Sequence, residues 1–266
     1  MEFKLPIRDD DSNKGTFGKV LNISGSKYMR GAAYLSSLAA LKIGCGYVIL
    51  CSEDAVLNSI SNLLPEVVLS PLKNLKNNLK TTDVILLGCG LSQTHKAKSI
   101  VKTVLTGKIN KPLIIDADGL NILSKIKNIS LNENTILTPH PKEASRLLNC
   151  ELDEILSNPK NSAIELSKKY GCNIVLKGHN TVVCSNQQDI YINQTGNSAL
   201  SKAGTGDILS GMIAGLIAQG LAPFEGAKTG VYLHGLAGEL AGKELTNYSV
   251  LASELVNYFP NAIKMI

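Results

Sequence analysis

The stretch Gly196-Asn-Ser-Ala-Leu-Ser-Lys-Ala-Gly204-Thr-Gly206-Asp207 runs into an apolar segment that begins Ile208-Leu-Ser-Gly-Met. From Asp207 onward apolar side chains fall at 208, 209, 212, 213, 216 and 217, the spacing of one helical stripe. Gly211, Ala214, Gly215 and Ala218 form a second stripe of small residues, against which a neighbour can pack closely. A helix N-terminus leaves backbone N–H groups without helical partners, and the helix dipole adds partial positive charge there. A glycine-rich turn at that point makes an anion hole for a phosphoryl group. Asp207 can take a proton from a hydroxyl as that hydroxyl attacks phosphorus. It can also do no more than cap a buried helix, and the residues alone leave both readings open.

Further polar and glycine residues stand directly after apolar runs: Gly88-Cys-Gly90, Asp116-Ala-Asp118, Thr138-Pro-His140 and Lys177-Gly178. The runs before them are of strand length. Val20–Ile23, Gly46–Cys51, Asp83–Leu87, Pro112–Ile115, Asn134–Leu137 and Asn173–Leu176 read as strands, and 181–184 with 189–192 as a late hairpin around Asn186. Helical patterns fill the gaps, over 29–43 and near 54–63, 93–106, 142–149, 161–170, 207–219, 225–243 and 249–264. This βαβα rhythm of short, continuous, β-branched strands predicts a parallel sheet between two helix layers. In such a sheet the carboxyl ends of the strands form the ligand crevice. The residues named above therefore converge on one edge. No repeat, linker or composition break divides the chain, so one domain over 1–266 is expected. The Lys/Asn-rich stretch Lys73 to Lys80 reads as a solvated loop or helix face.

Composition removes several classes. The 266 residues are 44% hydrophobic and 18% charged, which describes a folded globular chain. The net charge of +5 is mild and demands neither nucleic acid nor an anionic membrane, while an anionic small molecule suits it. Trp is absent and Phe and Tyr are sparse, which argues against base stacking on an aromatic platform. The N-terminus lacks the apolar core of a signal peptide. The most apolar segment, 208–222, is broken by polar and glycine residues and is too short to span a bilayer. The six cysteines form no metal-ligand spacing and read as small buried hydrophobes in a reducing cytoplasm.

Gly-Thr-Gly-Asp opening a small-residue helix resembles the signature of ribokinase-like proteins, and the chain as a whole resembles the NAD(P)H-hydrate dehydratases of that superfamily. The words that carry the likeness run in order along nearly the whole chain: Lys14-Gly-Thr-Phe-Gly18, Gly25-Ser26, Gly31-Ala-Ala33, Gly44-Cys-Gly46 and Gly88-Cys-Gly90. Asp116-Ala-Asp-Gly-Leu-Asn121, Thr138-Pro-His-Pro-Lys-Glu143, Lys177-Gly-His-Asn-Thr181 and Gly204-Thr-Gly-Asp207 complete them. The resemblance implies a three-layer α/β/α sandwich with a central, mostly parallel sheet. It implies dehydration of hydrated NADH or NADPH (NADHX or NADPHX), coupled through Mg²⁺ to hydrolysis of ADP, or of ATP in eukaryotic relatives. It further implies that Asp207 is the base and lies beside the hydrate, and that the N–H groups of Gly204, Thr205 and Gly206 form the anion hole. Ala33, Gly90 and His140 match positions contacting the hydrate. Lys177, Gly178, His179, Asn180 and Thr181, with Gly206, match those holding the adenine nucleotide. Glu143 matches a Mg²⁺ site reached through water, and Asp116 either reaches the metal or caps the next turn. An NAD(P)HX epimerase is the implied functional partner, and a homo-oligomer, often a tetramer, the implied assembly. The late helical pattern 249–264 serves either as interface or as core.

Two departures stand out: Ser198-Ala199 where the family often has Pro-Gly, and Lys202-Ala203 before the glycine turn. Lys202 either adds charge to phosphate binding or points to solvent. No epimerase domain precedes the dehydratase words, so the chain stands alone or is cut from a longer one. Two alternatives remain. An ATP-dependent small-alcohol kinase of the same fold, acting on a thiazole or hydroxymethylpyrimidine, shares the Gly-Thr-Gly-Asp turn but not the longer words. A non-catalytic nucleotide-binding protein does not need Asp207.

Overall fold

The computed structural model describes residues 3, 5–107, 109–127 and 129–266. The chain opens with β1 (Lys19–Ile23), α1 (Arg30–Lys42), β2 (Tyr47–Ser52), α2 (Asp54–Ile60) and β3 (Val68–Pro71). It continues with α3 (Leu75–Thr81), β4 (Val84–Leu87), α4 (His95–Thr106), β5 (Leu113–Ile115), α5 (Asp118–Leu123) and β6 (Thr135–Leu137). Next come α6 (Pro141–Leu148), α7 (Leu152–Ser157), α8 (Pro159–Tyr170), β7 (Asn173–Leu176), β8 (Val182–Cys184) and β9 (Ile190–Ile192). Three helices close it: α9 (Thr205–Ala218), α10 (Pro223–Ser249) and α11 (Phe259–Ile263).

Among the described residues the strands form one sheet, ordered β3-β2-β1-β4-β5-β6-β7-β8-β9. The pairs from β3 through β7 are parallel, and the late hairpin adds β8 and β9 antiparallel. Strand β1 sits between β2 and β4, with Leu21 opposite both Ile49 and Ile85. The chain order reverses there, so a crevice opens outside the carboxyl ends of β1 and β4. One core lies between the sheet and α1, α2, α9 and α10, and the other between the sheet and α3 to α8. Burial on both faces is why β4, and β7 after Asn173, are continuously apolar rather than alternating.

The small-residue stripe of α9 packs on α1. A Cβ on Gly211 would lie 2.1 Å from the Ser36 carbonyl oxygen, and one on Gly215 would lie 2.7 Å from that of Ala40. Ridge-in-groove packing at this distance fixes the N-terminus of α9 over the ends of β1 and β4.

The structure departs from sequence expectation in places. Strand β3 and helices α5 and α7 were not expected, being short and of weak periodicity. The Lys73–Lys80 stretch is largely helix α3, which buries Leu75 and Asn78 and leaves its lysines outward. The 249–264 pattern is not one helix. Residues Ala252–Tyr258 form a 3₁₀ turn, and Pro260, which cannot donate to a preceding carbonyl, starts the separate helix α11. Leu255, Val256, Phe259 and Ala262 of this segment are buried within the chain. No helix among the described residues is long and apolar enough to cross a membrane.

Candidate active site

Gly204 is the N-cap of α9 and has φ +95°, a conformation that a side chain would resist. A Cβ there would also lie 2.5 Å from Leu35 Cδ1. The Thr205 N–H leans back toward the Lys202 carbonyl at 3.4 Å, and the Thr205 hydroxyl donates to the Leu200 carbonyl at 2.8 Å. The turn is thus built from inside the chain. The Gly206 and Asp207 N–H groups follow in the first helical turn, where no helical acceptor exists. Of the three expected donors, then, Gly206 keeps its N–H clear, while that of Thr205 is partly engaged.

Asp207 projects from this turn into a cluster of charge. Its carboxyl, Cys89 Sγ and an Asp116 carboxylate oxygen lie within 4.8 Å of one another. Burial, with Asp116 adding to it, pushes the Asp207 carboxyl up to about 6. Burial and the two carboxylates hold the Cys89 thiol well above its usual range, so it stays protonated.

Asp116 directly follows β5 and is 1% exposed. The Lys177 ammonium donates to its Oδ1 at 2.8 Å, as does the Ala117 N–H at 2.9 Å. The Ser210 hydroxyl donates to its Oδ2 at 2.6 Å. Burial alone would raise this carboxyl, but Lys177 and Ser210 outweigh it and keep the group below its ordinary value. Lys177 is the converse case: burial works against its charge, and Asp116 and Glu143 more than restore it. The ammonium lies 3.5 Å from where a Cβ on Gly206 would stand, beside the helix N-terminus. Asp116 is thus held by a buried ion pair with Lys177, while its carboxylate also stands within the cluster it forms with Cys89 and Asp207. Ala117, squeezed between Asp116 and Asp118, has φ +48° and ψ −116°, a strained backbone of the kind concentrated at functional sites. Asp118 accepts the Ser92 N–H at 2.7 Å, and the Asn121 amide oxygen accepts from Arg146 at 2.7 Å. The Asp-Ala-Asp-Gly-Leu-Asn word thus ties β5 to β7, α9, α6 and the turn after β4.

His140 is the N-cap of α6. Its Nδ1 accepts the Glu143 N–H at 3.3 Å, and Glu143 Oε2 accepts the His140 N–H at 2.9 Å, a reciprocal capping box. Burial and then Lys177 lower the imidazole, so it is neutral. Burial raises the Glu143 carboxyl to about 7 against the pull of Lys177. Lys177, Gly178, His179 and Thr181 line, with His140 and Gly206, a cavity of about 830 Å³. Gly178, His179 and Asn180 form an exposed turn, held by the Thr181 hydroxyl donating to the Gly178 carbonyl at 3.0 Å.

Gly90 lies in the turn after β4 and Ala33 on α1. Gly90 (φ +59°) follows Cys89 and lets its turn close on α1, where a Cβ would meet the Met29 carbonyl at 2.8 Å. Ala33 has no exposed surface and fills the space a Gly25 side chain would need. Lys202 neither faces the anion hole nor points free into solvent: its ammonium donates to the Tyr248 carbonyl at 2.5 Å. Sequence reasoning did not find the Asp116–Lys177 pair, Ser210, Cys89 or His234. The first pair joins residues 61 positions apart, a contact no local pattern displays.

The sequence pattern of the NAD(P)H-hydrate dehydratases matches residues 20–261. The chain belongs to the NAD(P)H-hydrate dehydratase family. It is 37% identical over 238 residues to the ADP-dependent (S)-NAD(P)H-hydrate dehydratase of Neisseria meningitidis, covering 88% of this chain and 80% of that protein. The crystal structure of the ADP/ATP-dependent NAD(P)H-hydrate dehydratase from Bacillus subtilis, co-crystallised with ATP and Mg²⁺, superposes with a TM-score of 0.89. That pair shares 35% identity over 98% of this chain and 94% of the other. The chain is also 34% identical to the bifunctional NAD(P)H-hydrate repair enzyme of Thermofilum pendens, of which it spans 53%. The expected fold, a helix-flanked, mostly parallel sheet of ribokinase-like type, is the one observed. The family is one of hydro-lyases acting in nicotinamide nucleotide repair, and membership does not favour the small-alcohol kinase alternative.

Proposed function

We propose that the chain removes water from (S)-NADHX or (S)-NADPHX, giving NADH or NADPH, and couples this to conversion of ADP to AMP and phosphate. The observation that carries the proposal is one constellation: Asp207, its carboxyl poised near 6, in the first turn of α9 with free N–H groups and the Lys177 ammonium beside it. Base, anion hole and cation are then in one place.

The chemistry follows from leaving-group quality. Hydroxide leaves a carbon poorly and phosphate leaves well. Asp207 takes the proton of the ring hydroxyl as its oxygen attacks the terminal phosphorus of ADP, and the bond to the AMP oxygen breaks. The α9 N-terminus and Lys177 stabilise the charge on the moving phosphoryl group. The ring nitrogen lone pair then expels phosphate, and a neighbouring ring C–H gives up its proton to the departing phosphate, restoring the double bond. A base near 6 is ionised at neutral pH and still basic enough to assist.

Mg²⁺ fits the residues present. Glu143 is a buried carboxyl near 7 whose charge is under-compensated, and a cation nearby would keep it ionised. Glu143 would hold the ion through water, the nucleotide phosphates supplying the direct ligands, and the ion would neutralise diphosphate charge. His140 is proposed to border the hydrate, with the buried Gly90 and Ala33 shaping the wall behind it, and Lys177 to Thr181 to border the nucleotide. One sheet runs through the chain, which supports treating 1–266 as one domain. A cytoplasmic homo-oligomer acting alongside an NAD(P)HX epimerase completes the proposal.

The test incubates the protein with NADHX and Mg²⁺, with ADP or ATP, and follows absorbance in the NADH band. A rise with ADP is expected. A rise with ATP alone would overturn the donor. No rise with either would return the small-alcohol kinase to consideration.

A further inference from the structure

A lysine carries its charge on a flexible four-carbon stem, and its ammonium is a point charge with no preferred direction. Where such a charge sits depends on what holds it. Lys177 follows β7 and lines the 830 Å³ cavity. Among the described residues its Nζ makes one hydrogen bond, to Asp116 Oδ1 at 2.8 Å. Two of its three donors are left over, so the Asp116 carboxylate sets the place of the charge.

That carboxylate belongs to a residue held at every polar atom. The Asp116 N–H donates to the Leu87 carbonyl at 3.0 Å, and its carbonyl accepts the Gly119 N–H at 2.9 Å. Its Oδ1 accepts the Ala117 N–H as well as the ammonium. Its Oδ2 accepts the Ser210 hydroxyl at 2.6 Å, with the Cys89 thiol at 4.0 Å. Asp116 and Ser210 are each at most 1% exposed, so water does not compete for this bond. Among these contacts only the Ser210 one comes from α9, one turn after Asp207 and four residues after Gly206. One carboxylate thus ties the ammonium to the helix whose first turn carries the base and the free N–H groups.

We infer that Asp116 and Ser210 are positioning residues: they act through Lys177, setting its ammonium in register with the α9 N-terminus so that both meet the same phosphoryl group. This rests on the proposal above that phosphoryl transfer occurs there. Register matters more to the moving phosphoryl group than to the bound nucleotide, because charge has to be met where it develops. A misplacement of about 1 Å can cost about 100-fold in rate.

Ser210→Ala removes the tether and keeps both charges. Urea unfolding gives the folded fraction, and NADH formation from NADHX, ADP and Mg²⁺ gives kcat per folded molecule. That kcat is expected to fall about 10- to 100-fold. The Kd for ADP, from titration calorimetry, should stay within about threefold of wild type. Ser210→Cys, close in size and a weaker donor, should fall between. The decisive variant repeats Ser210→Ala in an Asp116→Asn/Lys177→Met background, which lacks the ammonium but keeps the base and the helix N-terminus. There Ser210→Ala should change the residual kcat by less than about twofold, since no charge is left to position. Wild-type kcat in Ser210→Ala, a loss confined to Kd, or the same loss in both backgrounds would overturn the inference, the last by making Ser210 a support of α9 alone. No NADH formation by the wild type with either ADP or ATP would overturn the dehydratase reading beneath it.

Discussion

Asp207 and Lys177 owe their properties to burial, and each property is measurable. Asp207→Asn keeps the shape of the turn and removes the base. Turnover should fall about 100- to 10,000-fold, while ADP affinity stays near wild type. In the wild type, activity should fall on the acid side around pH 6 as the carboxyl takes up its proton. The sign for stability is opposite to that of an ordinary salt-bridged acid. The folded carboxyl is raised, so ionisation disfavours the folded state, and stability is lost as pH climbs from about 4 to about 6. Asp207→Asn should therefore unfold at higher urea than wild type at pH 8, by on the order of 3 kcal/mol at 1.36 kcal/mol per pKa unit, and match it at pH 4. The Asp116–Lys177 pair behaves differently. Lys177→Met leaves a carboxylate in the core with hydrogen bonds from neutral groups but no cation beside it, at a cost of about 3–5 kcal/mol. The double variant Asp116→Asn/Lys177→Met should regain most of that in urea unfolding, since no bare charge remains.

At the scale of elements, the α1–α9 crossing places the chemistry. Gly211→Ala drives a Cβ to 2.1 Å from the Ser36 carbonyl oxygen, so the helices must separate. A loss of about 1–3 kcal/mol is expected, with weaker ADP binding as the α9 N-terminus shifts. Gly178→Ala, with nothing within 4 Å of the new atom, should leave stability unchanged. Thermal melts of the two variants check both statements. The stripe that makes this crossing was legible in the sequence, because small residues at helical spacing are a local pattern. So were the eight longer-patterned strands and the edge on which Gly90, Asp116, His140, Lys177 and Asp207 meet. What was not legible is short or non-local. Strand β3 has four residues at the sheet edge with one buried, too little to show a period. The break of 249–264 into a 3₁₀ turn and α11 depends on Pro260 and on packing against α10. The destination of Lys202 depends on a loop 46 positions away. The unpaired, buried Nε2 of His234 is a property of the folded interior, and nothing in the helical pattern of α10 announces it.

For the whole molecule, the switch in strand order at β1 and the turn from parallel to antiparallel at β8 bring the turns after β4, β5, β6 and β7 to one edge, beside the start of α9. A hydrate approached from the Gly90 side and a nucleotide from the Lys177 side would meet at Asp207. On the proposed reading the two ligands exchange a group there. Direct water loss would need no nucleotide beside the base. The most direct test follows the oxygen of the hydrate hydroxyl, labelled with ¹⁸O, through a single turnover with ADP and Mg²⁺. Attack on phosphorus followed by carbon–oxygen cleavage predicts the label in inorganic phosphate, read by mass spectrometry. Label released to water, with unlabelled phosphate, would contradict phosphoryl transfer to the hydrate and reduce the constellation around Asp207 to a site where ADP hydrolysis and dehydration merely coincide.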